Sequence, residues 1–142
     1  MKKTTKELLE LMKSADDYKA YLSAGGGDIT PEPMKIDRAL NALVADKRLK
    51  KADVIARSGM EVHYAYQIFS GMRVPTRDKV IMLAVGMELT AEETQDLLRI
   101  SGYAPLYAKT ARDNALLFGL TKGLSLIDLN CLLYELGLEL LT

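Results

Sequence analysis

The sequence predicts an all-α fold, and three observations carry that expectation. Apolar residues recur three and four apart along most of the chain, helix-capping signals repeat ahead of those stripes, and no sustained alternating run of β-branched residues reads as a strand. With 142 residues and 49% apolar types, the chain can bury roughly two-thirds of its unfolded surface in a core that needs no staples. Its one cysteine, Cys131, allows no intrachain bridge. Lys2 and Lys3 precede an apolar stretch broken by Glu7, Glu10 and Lys13, so it cannot serve as a signal-peptide core. No stretch approaches the ~20 apolar residues of a membrane span. A cytoplasmic protein without a membrane partner is expected.

The elements follow in order. Thr4 and Glu7 form a capping box ahead of Leu8, Leu9, Leu11 and Met12; Ser14 with Asp17 then opens a second short helix carrying Tyr18, Tyr21 and Leu22. Gly25, Gly26 and Gly27 end it as a flexible joint, with no phosphate-loop lysine downstream. Thr30 is a good N-cap with Pro31 at the first helical position and Pro33 in the first turn, so a helix is expected from there to about Asp46. Ile36, Ala39, Leu40, Leu43 and Val44 form its inward stripe. A turn through Lys47 and Arg48 leads to a short helix from about Lys51 to Ser58, ended by Gly59, and another from about Glu61 to Ser70 follows with almost no linker. Arg77 to about Met87 is a further helix with Val80, Ile81, Leu83 and Ala84 inward, and Thr90 with Glu93 caps one containing Leu97, Leu98 and Ile100. Ala111 to about Leu120 precedes a break at Gly123; Ser125 with Asp128 caps a last helix through Leu136, ended by Gly137. Three segments are expected: 1–29 as an N-terminal helical extension with its joint, 30–101 as the central domain, and 102–142 as a C-terminal helical extension.

Charge is balanced in total, 19 basic against 19 acidic, yet unevenly spread. Residues 46–79 hold eight basic and four acidic side chains, whereas residues 80–142 hold four and eight, which directs the search for an anionic partner to the middle of the chain.

The two short helices joined at Gly59 have helix-turn-helix spacing, and from roughly Pro33 to Ile100 the chain resembles the Xre-type, lambda-repressor-like family of DNA-binding domains. With Lys51 as the first motif position, Val54 falls on the buried fourth, Gly59 on the ninth, Met60 on the tenth and Ile68 on the eighteenth. Ile68-Phe69-Ser70-Gly71 looks like the family's closing turn, and Arg73-Val74-Pro75-Thr76 like its basic-x-Pro-Ser/Thr lead into the next helix. Two departures stand out. Ile55 and Ala65 replace the usual alanine and branched aliphatic of the fifth and fifteenth positions, a volume-conserving exchange, and the helix of residues 61–70 contains no Lys or Arg.

The resemblance implies a five-helix lambda-repressor-like helix-turn-helix domain with extra N-terminal and C-terminal helices, acting as a sequence-specific regulator of transcription on double-stranded DNA. It places residues 61–70 in the major groove. Lys51 then meets a phosphate at a helix start, Gln67 pairs with an adenine edge, His63 or Tyr66 donates to a base or phosphate, and Val62 touches a thymine methyl. Ser70 belongs to the same DNA-facing set, and Lys50, Arg73 and Arg77 grip the backbone. Tyr64 takes a core or rim role, because residues two apart point to different sides of a helix. Arg77 is misplaced for the dipole at a helix start, which argues for an external anion.

In residues 126–141 the apolar set Leu126, Ile127, Leu129, Cys131, Leu132, Leu133, Leu136, Leu138, Leu140 and Leu141 is too dense for one helix packing on one core. Homodimerisation through residues 102–142 and docking onto the N-terminal helices are the two uses left open. No nucleophile elbow, Cys/His pair, Walker loop or metal-ligand cluster is present, so no catalytic residue, cofactor or metal is expected. The alternative to DNA binding is a protein-interaction adaptor on the same scaffold, favoured by the cation-free helix and the apolar tail.

Overall fold

The computed structural model describes residues 3–27 and 35–142, which belong to two compact units, 1–33 and 34–142. Every regular element among the described residues is helical.

In the first unit, α1 spans Thr5–Ser14 and is capped by Thr4, whose Oγ1 accepts from the Glu7 N–H at 3.1 Å. Ser14 ends this helix, donating to the Leu11 carbonyl, and the cap of α2 (Tyr18–Tyr21) is Asp17 alone, whose carboxylate accepts from the Ala20 N–H at 2.7 Å. The second start expected at Ser14 therefore moves to Asp17, where a charged oxygen makes the stronger cap bond. A π-helical turn, Leu22–Gly26, follows, with Gly25 at φ 115°, a conformation open to glycine.

The second unit begins its helices with α3, Ile36–Asp46. Lys35 is extended at φ −65° and ψ 146°, so this helix starts later than expected; the start assigned to Thr30, Pro31 and Pro33 lies outside the described residues. Then come α4 (Lys51–Ser58), α5 (Val62–Phe69), α6 (Arg77–Gly86), α7 (Ala91–Ile100), α8 (Ala111–Lys122) and α9 (Leu126–Glu135). Thr90 and Glu93 form the reciprocal capping box at α7, and Ser125 Oγ accepts from the Asp128 N–H at α9. Gly59 and Gly123 terminate α4 and α8 in the left-handed region, both at φ 67°.

The core is organised around α6, in which every residue from Val80 to Gly86 is buried. A helix apolar on all sides needs neighbours on all sides. On one side α4 crosses it so closely that a Cβ on Gly86 would collide with the Val54 carbonyl oxygen and lie 3.1 Å from the Ser58 Cβ. The Arg57 Nε donates to the Gly86 carbonyl at 2.8 Å and fastens the crossing. Ile55 and Ala65, the exchanged pair, are both buried in this core. The segment 102–142 contributes Leu106, Ala115, Leu116, Leu120, Leu129, Leu133 and Leu141 to the same core, with α9 packed on α6 and α8 on α7. Leu133, inside the band expected to be spare, is fully buried, whereas Ile127 and Tyr134 stay 75% and 76% exposed.

No helix among the described residues is long and apolar enough to cross a membrane. Because the added methyl at Gly86 meets backbone, which cannot swing aside, Gly86→Ala lowers unfolding free energy by about 2 kcal/mol, measured by urea denaturation. A change below about 0.5 kcal/mol shows that the two helices are not in register as described.

Candidate functional site

The segment from α4 to α6 is held by side chains at each joint. At the first, Ser58 Oγ donates to the Ile55 carbonyl at 2.7 Å, Gly59 turns the chain, and the Leu126 side chain of α9 lies against Gly59 where a Cβ would stand. The cap of α5 is Glu61, whose carboxylate accepts from the Tyr64 and His63 N–H groups at 2.7 and 3.0 Å. Those bonds hold the Glu61 carboxyl below its ordinary pKa. At the other end, Asn41 Nδ2 donates to the carbonyls of Phe69 and Asp37, both at 2.8 Å, tying α5 to α3. Gly71 (φ 83°) reverses the chain against Asp37, and the Met72 and Arg73 N–H groups both donate to the Gln67 carbonyl.

Both ends being fixed, α5 turns Ala65, Ile68 and Phe69 inward and leaves His63, Tyr66, Gln67 and Ser70 on one outer face. Val62 and Tyr66 are 52% and 44% exposed, His63 and Ser70 are exposed, and Gln67 is half-buried. A shallow cleft of about 460 Å³ opens here, lined by His63, Tyr66, Gln67 and Ser70 with Asn41, Lys51 and Met72 around them. Lys51 places its ammonium 5.4 Å from the Phe69 ring centre. Lys50, exposed, precedes α4 without a side-chain cap, so the first N–H groups of α4 have no side-chain acceptor. The Arg73 guanidinium lies 4.8 Å from the ring centre of half-buried Tyr64, with the Lys79 ammonium at 5.2 Å, and its Nε donates to Gln67 Oε1 at 2.9 Å. A larger cleft of about 700 Å³ lies between the Gly59 turn and the α8–α9 turn, and its Arg57 is engaged by Gly86 and Glu88. The smaller one is lined by the outer face of α5.

Arg77 does not belong with the others. Its Nη1 and Nη2 donate to both carboxylate oxygens of Asp113, its Nε to the Ala104 carbonyl and its Nη2 to the Pro105 carbonyl. The anion that Arg77 serves is internal, on the first turn of α8. The pairing is reciprocal: Arg112 donates to both oxygens of Asp78 at 2.9 and 2.8 Å and to the Glu139 and Leu140 carbonyls. Lys47 likewise meets Glu93 at 2.8 Å. Sequence reading also passed over Asn41, Met72 and Lys79; only Asn41 left a signal, as a polar residue beside the apolar stripe of α3. Among the described residues no cluster of three or more metal-ligating side chains occurs.

Comparison of the chain with protein-family models, with curated proteins and with solved structures finds no match in any of the three.

Burial disfavours the Asp113 carboxylate, but the bonds from Arg77 and the Tyr107 N–H prevail and hold its pKa below the ordinary 3.8; the Glu93 carboxyl, bonded by Lys47 and the Thr90 N–H, also lies below its ordinary 4.5. A lowered acid stabilises the fold above its unfolded-state pKa, and that contribution is lost as pH falls through the folded-state value. Stability therefore declines below about pH 4.5, and Asp113→Asn makes the decline shallower while costing about 1–3 kcal/mol at pH 7. Urea denaturation between pH 3 and 7 reads both; an unchanged acid slope removes Asp113 from this role.

Proposed function

We propose that the chain is a sequence-specific regulator of the lambda-repressor-like helix-turn-helix class, with α5 entering the major groove of double-stranded DNA. The observation that carries this reading is the outer face of α5. His63, Tyr66, Gln67 and Ser70 stand at i, i+3, i+4 and i+7, are held by caps at both ends, and are flanked by Lys50, Lys51 and Arg73. The helix-turn-helix spacing of Lys51–Ser70 supports it as well. Cations at the flanks suit phosphates, and neutral donors between them suit base edges. Arg77 leaves this set, its four donor contacts being spent inside the protein.

On this reading the chain acts by occupying a DNA site and not by chemistry. Homodimerisation is part of the proposal, since two copies span half-sites about one DNA turn apart. Within residues 102–142 its surface is the exposed α9 stripe of Ile127, Cys131 and Tyr134, spaced i, i+4 and i+7, and not the buried Leu133. The adaptor reading is favoured by one observation: Val62, Tyr66, Met72 and Val74 give this neighbourhood a large exposed apolar area.

Binding to a random-sequence duplex weakens as salt rises, and Lys51→Ala flattens the log–log slope by about one unit, whereas Arg77→Ala leaves it unchanged. No detectable binding at ~50 mM salt favours the adaptor. Light scattering at micromolar concentration gives a dimer mass for the unaltered chain and a monomer mass for the Ile127→Asp, Tyr134→Asp double variant. A monomer mass for the unaltered chain refutes the dimer.

A further inference from the structure

We infer that Gln67 and Arg73 read a guanine as one unit, an inference that rests on the duplex-DNA function proposed above. The Arg73 Nε donates to Gln67 Oε1 at 2.9 Å. Arginine carries donors only, so the amide oxygen of Gln67 must face it, and the amide nitrogen takes the opposite end of the group. An unengaged glutamine offers an acceptor beside a donor, the pattern that matches N6 and N7 of adenine. Here the acceptor is engaged. Gln67 is left to present its two N–H donors, and the Arg73 guanidinium, which makes no other hydrogen bond among the described residues, adds further donors next to it.

Two features of the fold hold the pair in this arrangement. The Tyr64 ring lies 4.8 Å from the guanidinium centre, and the Met72 and Arg73 N–H groups donate to the Gln67 backbone carbonyl across the Gly71 turn, at 2.9 and 3.2 Å. A cluster made of donors alone needs a base edge made of acceptors alone. In the major groove that edge is guanine, through O6 and N7; adenine and cytosine each place an amino group there, and thymine offers one acceptor beside a methyl. The adenine pairing implied for Gln67 by the family resemblance is thereby replaced, for a reason that lies outside α5, on the turn that follows it.

The test is a selection of bound duplexes from a random pool at ~50 mM salt, run on the unaltered protein, on Arg73→Ala and on Gln67→Glu. The unaltered protein enriches guanine over adenine at one position of each half-site by about tenfold, the scale of one good bidentate contact. Arg73→Ala frees the amide oxygen and moves that position from guanine to adenine. Gln67→Glu keeps the contact to Arg73 but removes the amide donors, and guanine enrichment disappears. Adenine enrichment by the unaltered protein, or guanine preference that survives Arg73→Ala, overturns the inference. Recovery of no duplex at all overturns the DNA-binding function itself, a result distinct from duplexes recovered without a guanine.

Discussion

The fold depends on one constraint, the complete burial of α6. Val80 to Gly86 present apolar atoms or bare backbone in every direction, and burying each large aliphatic side chain contributes roughly 1.5–3 kcal/mol, so no side of this helix can be left open to water without a large loss. Helix α4 closes one side, and only because residue 86 is glycine can the Val54 carbonyl lie directly upon it. Helix α7 closes another and α9 packs on α6 as well, with α8 behind α7, which accounts for a C-terminal segment that looks surplus when counted against a five-helix domain. The same crossing fixes α4, α4 fixes the Gly59 turn, and the turn sets the start of α5.

Charge follows from the packing. The excess of cations in residues 46–79 and of anions in residues 80–142 suggests an external partner, yet much of it is settled within the fold. Lys47 meets Glu93, Arg57 meets Glu88, and Arg77 meets Asp113. The reciprocal pairs Arg77–Asp113 and Arg112–Asp78 use the same dipeptide at the starts of α6 and α8, so each acid sits in the first turn of its own helix, where the dipole favours it, while each arginine reaches across. A misplaced arginine at a helix start was thus a sound sign of an anion. It carried no information on whose anion, because that depends on which helix the fold brings alongside. Lys51 and Arg73 remain beside the outer face of α5.

Legibility in the sequence varied with the range of the interaction. Local signals gave the helices: the termini of α4, α7 and α9 follow from Gly59, the Thr90–Glu93 box and Ser125, all of which act within four residues of chain. Where two local signals competed, at Ser14 and Asp17, the structure chose the carboxylate. What the sequence could not carry were contacts across tens of residues. Leu133 and Ile127 are both aliphatic residues in one helix, and only the position of α6 makes the first core and the second surface. At the candidate site, His63, Tyr66, Gln67 and Ser70 came from the family resemblance, which assigns them by position in the motif, whereas the role of Asn41, which donates to a carbonyl 28 residues away, left no such trace.

The outer face of α5 owes its availability to how the helix is anchored. A helix of eight residues is too short to persist by propensity alone and must be stabilised by packing or caps. Here the inner stripe of Ala65, Ile68 and Phe69 supplies the packing, and Glu61 and Asn41 occupy the two ends. None of these anchors draws on the side chains of His63 or Tyr66, so those two contribute little to the fold and can be set by what they touch outside it, whereas the Ser70 hydroxyl donates to the Gln67 carbonyl at 3.0 Å. Gln67 is the most tied of that face, since its side-chain oxygen accepts from Arg73 and its backbone carbonyl from Ser70 and the turn that follows. A residue bonded to the scaffold in this way is held toward one orientation, which narrows the set of groups that its amide donors can meet.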